Sequence, residues 1–144
     1  LETVLEFGIE EVLIQIEVFD SQEELMNTVD RYKAKGIKIG LVINPETEIE
    51  LLLPYLDQIE KVLIMTVTPG AEHQAFNELM IRRIQDLKSR FPHLILEADG
   101  GIKAENIQRI RDVGISEFVV GSYITGNEDS KERFEELLSL LKKQ

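Results

Sequence analysis

Cysteine is absent from the 144 residues, which excludes disulfides and thiolate metal sites alike. Tryptophan is absent as well, yet a 43% hydrophobic content still suffices for one globular domain, 1–144, with a core of its own. Positive charge is scarce: 16 Lys and Arg stand against 27 Asp and Glu, a net charge of −11. Such a surface repels nucleic acid and anionic membranes, so any phosphate has to be held locally by backbone amides. No apolar run approaches the roughly 18 residues that a bilayer-spanning helix needs, and no signal-peptide pattern heads the chain. A cytoplasmic protein with neither a nucleic-acid nor a membrane partner is the expectation.

Glycine numbers only 9, and its placement is informative. The run Leu94-Ile95-Leu96-Glu97-Ala98 ends at Asp99-Gly100-Gly101, and Phe118-Val119-Val120 ends at Gly121-Ser122. Each reads as an apolar strand that stops abruptly where the backbone loses its Cβ and its amides become accessible to an anion. In the first, a carboxylate is the last side chain before the turn. An acid beside an anion cradle points to a phosphorylated small molecule. The plainer readings are tight turns for the glycines and a helix N-cap for Asp99.

Apolar runs at 12–18, 37–43, 62–67, 94–98 and 118–120 are too continuous for half-exposed strands and read as parallel strands covered on both faces. Helical patterns lie between them. Leu25, Thr28, Val29 and Tyr32 share one face, and Ile49, Leu52, Leu53 and Leu56 another. Phe76, Leu79, Met80, Ile84 and Leu87 form a third, Ile107, Ile110 and Val113 a fourth, and Phe134, Leu137, Leu138 and Leu141 a fifth. Asp20-Ser21 with Glu24 is a capping pattern, while Gly36 and Gly114 close helices. Five βα units fit either a five-stranded doubly wound open sheet or part of a (β/α)8 barrel of the TIM type. The opening octet, residues 1–8, reads as the end of a helix. The barrel is therefore the expected class, with this chain as the C-terminal portion of a longer one. Open strand edges and an uncovered face predict homo-oligomers.

Four segments resemble the ribulose-phosphate 3-epimerase family in order and spacing: Gly40-Leu41-Val42-Ile43-Asn44-Pro45, Val62-Leu63-Ile64-Met65-Thr66-Val67-Thr68-Pro69-Gly70, Leu96-Glu97-Ala98-Asp99-Gly100-Gly101-Ile102 and Val120-Gly121-Ser122. The resemblance implies that the chain holds strands four to eight. It also implies an isomerase that moves a proton at C3 of a phosphorylated ketose through an enediolate. By the same resemblance Asp99 is acid/base and metal ligand, Met65 flanks the sugar, and Gly70, Gly100, Gly101, Gly121 and Ser122 bind phosphate. A divalent metal, zinc or iron, is the implied cofactor, since enediolate charge needs neutralising as it forms.

The chain departs from that pattern in two places. Gln15-Ile16-Glu17 occupies the place of a metal-binding His-x-Glu, and a neutral amide oxygen is a poor ligand for a zinc-like ion. Ala71-Glu72-His73-Gln74 replaces Phe-Gly-Gly-Gln, bringing a carboxylate toward the expected phosphate, with His73 as a partial compensation. Two other readings follow. One is a phosphosugar lyase similar to hexulose-phosphate synthases and related decarboxylases, suggested by residues 119–126. The other is a non-catalytic phosphosugar-binding module.

Overall fold

A computed structural model describes residues 6–68, 74–126 and 128–142. Its strands are β1 (Glu11–Gln15), β2 (Lys38–Ile43), β3 (Lys61–Met65), β4 (Ile95–Asp99) and β5 (Glu117–Val119). The connections contain α1 (Gln22–Lys33), a 3₁₀ segment (Ile49–Tyr55), α2 (Met80–Arg90) and α3 (Ile107–Asp112). After β5 come α4 (Ser122–Thr125) and α5 (Ser130–Lys142). All neighbouring strands are parallel, in the order β1-β2-β3-β4-β5. Each strand is added on the same side as the last, so right-handed crossovers place every connection on one face. A doubly wound sheet reverses its order once to put helices on both faces. No reversal occurs here, so the winding is that of a barrel wall and the open-sheet alternative fails.

Side-chain alternation divides the strands accordingly. Ile39, Leu41, Ile43, Val62, Ile64, Leu96 and Ala98 turn toward the helices and share one core with Leu25, Val29, Leu52, Ile84, Leu87, Ile107, Ile110 and Leu137. The alternate residues, among them Leu13, Val42, Leu63, Ile95 and Val119, point to the opposite, inner face. Leu13, Ile95 and Val119 are exposed there.

Several elements differ from the sequence expectation for identifiable reasons. The first strand stops at Gln15 because residues 16–18 coil into a 3₁₀ turn closed by Phe19 N–H donating to Ile16 O. The second connection is 3₁₀ and not α. Pro54 has no N–H to donate, and the buried residues Ile49, Leu52 and Tyr55 recur every third position, the 3₁₀ period, which leaves Leu53 outside. Leu79 is likewise exposed, because α2 begins one residue later. The predicted N-cap at Ser21 is present, its hydroxyl accepting from Glu24 N–H at 3.2 Å.

The inner face also carries an ionic group at the N-terminal side of the sheet. Lys61 Nζ lies 2.8 Å from Glu11 Oε2, 2.7 Å from Glu117 Oε2 and 3.6 Å from Glu97 Oε2. Its side chain is 9% exposed, and that of Glu97 is 13% exposed. Glu11 sits two strands away, across β2, and the register places Gly40 between Leu13 and Lys61. A Cβ at Gly40 would come within 2.5 Å of Leu13 Cδ2 and 3.3 Å of Lys61 Cβ. The missing side chain is what gives Lys61 its path over β2. Burial opposes the lysine charge, but hydrogen bonds to Glu11 and Glu117 outweigh it and raise the Lys61 pKa. Burial raises the Glu97 pKa, with the Lys61 charge opposing it only in part. One cation thus ties four of the five strands together.

Candidate active site at the C-terminal strand ends

Parallel strands deliver their last side chains to a common rim. Met65 ends β3 and Asp99 ends β4. The register pairs Met65 with Asp99 and Asp99 with Val119, so the three form a row on the inner face. Met65 is half-buried and lies outside the hydrophobic core, so it is not core filler. Burial raises the Asp99 pKa, and its carboxylate accepts no hydrogen bond from the described residues. Nor does Asp99 cap a helix. Helix α3 starts at Ile107, and Asn106 occupies its N-cap position.

The turn after Asp99 requires glycine. Gly100 has φ +122° and Gly101 φ +66°, values that side-chain-bearing residues rarely adopt. A Cβ on Gly101 would also run into the Phe76 backbone, and one on Gly100 would meet Val67 Cγ2 at 2.5 Å. Two buried polar residues brace this turn. Thr66 donates its N–H to Asp99 O at 2.8 Å and its hydroxyl to Gly100 O at 2.6 Å. Asn106 donates Nδ2–H to Gly101 O and accepts from Lys103 N–H, each at 2.9 Å.

On the next strand end, Gly121 precedes α4, and a Cβ there would meet open space. Its carbonyl accepts from Ile124 and Thr125 N–H at 2.9 and 3.1 Å. The amides of Gly101, Gly121 and Ser122 meet no acceptor among the described residues. Between the two turns lies a cavity of about 370 Å³ bordered by Gly101, Lys103, Ser122 and Tyr123. Tyr123 donates its hydroxyl to Glu136 Oε2 at 2.8 Å and accepts from Arg133 at 3.1 Å, which anchors α4 on α5.

Gln15 ends β1 on the same rim. Its Nε2–H donates to Asn44 Oδ1 at 3.1 Å, while Glu17 Oε1 accepts from Asn44 N–H at 2.8 Å and from the Thr47 hydroxyl. Both side chains are therefore committed to the turn after β2. Among the described residues no group of three or more His, Asp or Glu side chains could hold a metal ion. His93 falls between α2 and β4, at the other end of the strands. With Gln15 and Glu17 engaged, no second ligand stands beside Asp99 among the described residues, and these residues do not fit a divalent metal. Gly70, Glu72 and His73 lie outside the described residues.

The structure thus brings Met65, Asp99, Gly100, Gly101, Gly121, Ser122 and Gln15 to one rim. Sequence reasoning missed Thr66, Asn106 and Asn44. Thr66 was legible as a lone hydroxyl in an apolar strand, and Asn106 as an amide three residues past Lys103. Nothing local marks Asn44.

A one-directional parallel sheet, with every connection on one face and its glycine turns at the C-terminal rim, defines an α/β protein of the TIM-barrel type. A solved 3-hexulose-6-phosphate synthase shares this fold, with a TM-score of 0.72 and 14% identity over 96% of this chain and 65% of that one. The model of the ribulose-phosphate 3-epimerase family matches residues 1–125, and the chain belongs to that family. It is 33% identical over 128 residues to the ribulose-phosphate 3-epimerase of Escherichia coli, covering 86% of this chain and 57% of that protein. To the Schizosaccharomyces pombe enzyme it is 28% identical over 106 residues, covering 74% of this chain and 46% of that protein. The chain spans about half the length of these curated relatives. No described helix is long and apolar enough to cross a membrane.

Proposed function

We propose that the chain binds a phosphorylated ketose at this rim and exchanges its C3 proton through an enediolate, the half-reaction of a ribulose-phosphate 3-epimerase. The observation that carries the reading is that the Asp99 carboxylate, at the end of β4, shares a rim with three unsatisfied amides, those of Gly101, Gly121 and Ser122, and that Gly101 and Ser122 border one cavity. The amides take the phosphate, which a chain of net charge −11 cannot attract by its surface at large. Met65 packs against the sugar carbons. Ionised Asp99 removes the C3 proton, the C3–H pair moves into a C2–C3 double bond, and the carbonyl oxygen takes up the negative charge. Return of a proton from the same carboxylic acid restores the starting ketose. Inversion requires a second acid on the opposite side of the sugar. No step is assigned to a metal. Association of copies through the open edges of β1 and β5, in the cytoplasm, belongs to the same proposal.

Ribulose 5-phosphate in deuterated water tests the reading: the chain is expected to place deuterium at C3. The non-catalytic module is the second reading, favoured by the commitment of Gln15 to Asn44 where an imidazole ligand was expected. Binding of ribulose 5-phosphate with no deuterium at C3 would select it.

A further inference from the structure

We infer that Asn44 is the hydrogen-bond donor for the enediolate oxygen, with Gln15 and Glu17 as its positioning residues; this rests on the epimerase reading. Three observations converge on it. The β2–β3 register ends with Ile43 opposite Ile64, so Asn44 follows on beside Met65, and Met65 pairs with Asp99. Asn44, Met65 and Asp99 are consecutive in one row across the rim. Two strand spacings separate the outer pair, about 10 Å between backbones, and strand alternation puts Asn44 on the same inner face as Val42. A flat three-carbon enediol fits between an amide and a carboxylate reaching in from either side.

Asn44 is also held in one orientation. Glu17 accepts its backbone N–H at 2.8 Å, and Gln15 Nε2–H occupies its Oδ1 at 3.1 Å. With the oxygen taken, the Nδ2 end is turned away from Gln15, and it meets no acceptor among the described residues. A neutral donor fixed before the substrate arrives stabilises developing charge without reorganising, which is what an oxyanion site needs. Finally, the residue at the end of β1 supplies an amide and no metal ligand, and among the described residues its side chain bonds only to this asparagine. Gln15 therefore acts through Asn44.

The test compares two ligands on the full chain: ribulose 5-phosphate, and a four-carbon phosphohydroxamate whose planar oxygens imitate the enediolate. The hydroxamate is expected to bind more tightly. Asn44→Ala should weaken the hydroxamate about tenfold or more, the loss of one good hydrogen bond, while changing ribulose 5-phosphate affinity less than about threefold. Asn44→Asp keeps the acceptor for Gln15 and removes the donor, so it should reproduce the loss if the alanine variant folds poorly. Gln15→Leu should give a smaller loss of the same kind, and none when added to Asn44→Ala, because it works through that residue. An unchanged ratio of the two affinities in both folded Asn44 variants overturns the inference. If instead the hydroxamate preference depends on Asn44 but the wild-type chain puts no deuterium at C3, the epimerase reading fails on its own. A chain that binds neither ligand refutes both.

Discussion

Asp99→Asn is expected to abolish C3 deuterium incorporation, a fall of about 10³-fold, the scale on which a positioned acid/base group acts. Affinity for ribulose 5-phosphate should stay within about threefold, since the phosphate is assigned to the backbone amides of Gly101, Gly121 and Ser122, which an isosteric change at Asp99 leaves in place. The same substitution should stabilise the fold. Burial raises the Asp99 pKa, so the folded chain holds that proton more tightly than the unfolded chain does. Ionising Asp99 therefore costs folding stability. The cost is absent below the unfolded carboxylate range, grows as the pH rises through it, and is complete above the folded value. The melting temperature of Asp99→Asn should accordingly equal that of the wild type in acid and exceed it at neutral pH. A group kept at a cost in stability is the pattern of a functional residue. Unchanged exchange in the variant would remove Asp99 from the reaction, and a lower melting temperature at neutral pH would contradict the account of its burial.

Lys61→Met should have the largest effect on stability. It matches the lysine stem in length but leaves Glu11, Glu97 and Glu117 facing one another without a cation. Removing one partner of a buried ion pair costs about 3–5 kcal/mol, and exposed pairs contribute about 0–1 kcal/mol. Glu11 and Glu117 are 36% and 43% exposed, so about 2–3 kcal/mol is the expected loss. In a chain of this size that lowers the melting temperature by roughly 5–10 °C. The lysine's raised pKa sets the pH window. Its contribution is fully present below the unfolded lysine value of about 10.4 and is lost only as the pH rises through the higher folded value. Replacing all four charged residues with apolar ones should recover most of the loss, because the penalty lies in the stranded carboxylates. Thermal unfolding by circular dichroism checks both; an unaltered midpoint for Lys61→Met would mean that the four strands do not depend on their shared cation.

What was legible in the sequence follows from how local each signal is. Apolar runs announced five strands; the run at 12–18 was too long because the chain coils at Ile16, and those at 37–43 and 62–67 were each one residue longer than the strands found. Strand order was not legible, because periodicity shows that a strand exists but not which neighbour it takes. It distinguished a barrel wall from an open sheet only once the pairings were seen. Pro54 was visible throughout, and weighing its missing N–H would have turned the α-helix expected around Ile49 and Leu52 into the 3₁₀ segment found. Asp99, Gly100 and Gly101 were legible because a carboxylate before two glycines is written in three adjacent letters. The Lys61 group was not, since its members come from positions 11, 61, 97 and 117 and meet only through register and the notch at Gly40. The bond between Gln15 and Asn44 escaped for the same reason: its two ends are 29 residues apart.

The central claim is that the rim formed by β4 and β5 holds a sugar phosphate by its glycine amides. Titrating the ¹⁵N-labelled chain with ribulose 5-phosphate and following its amide resonances tests this directly. The account predicts saturable shifts concentrated at Gly101, Gly121 and Ser122, reversed by excess inorganic phosphate. Saturable binding whose shifts fall elsewhere and spare these three amides would contradict it.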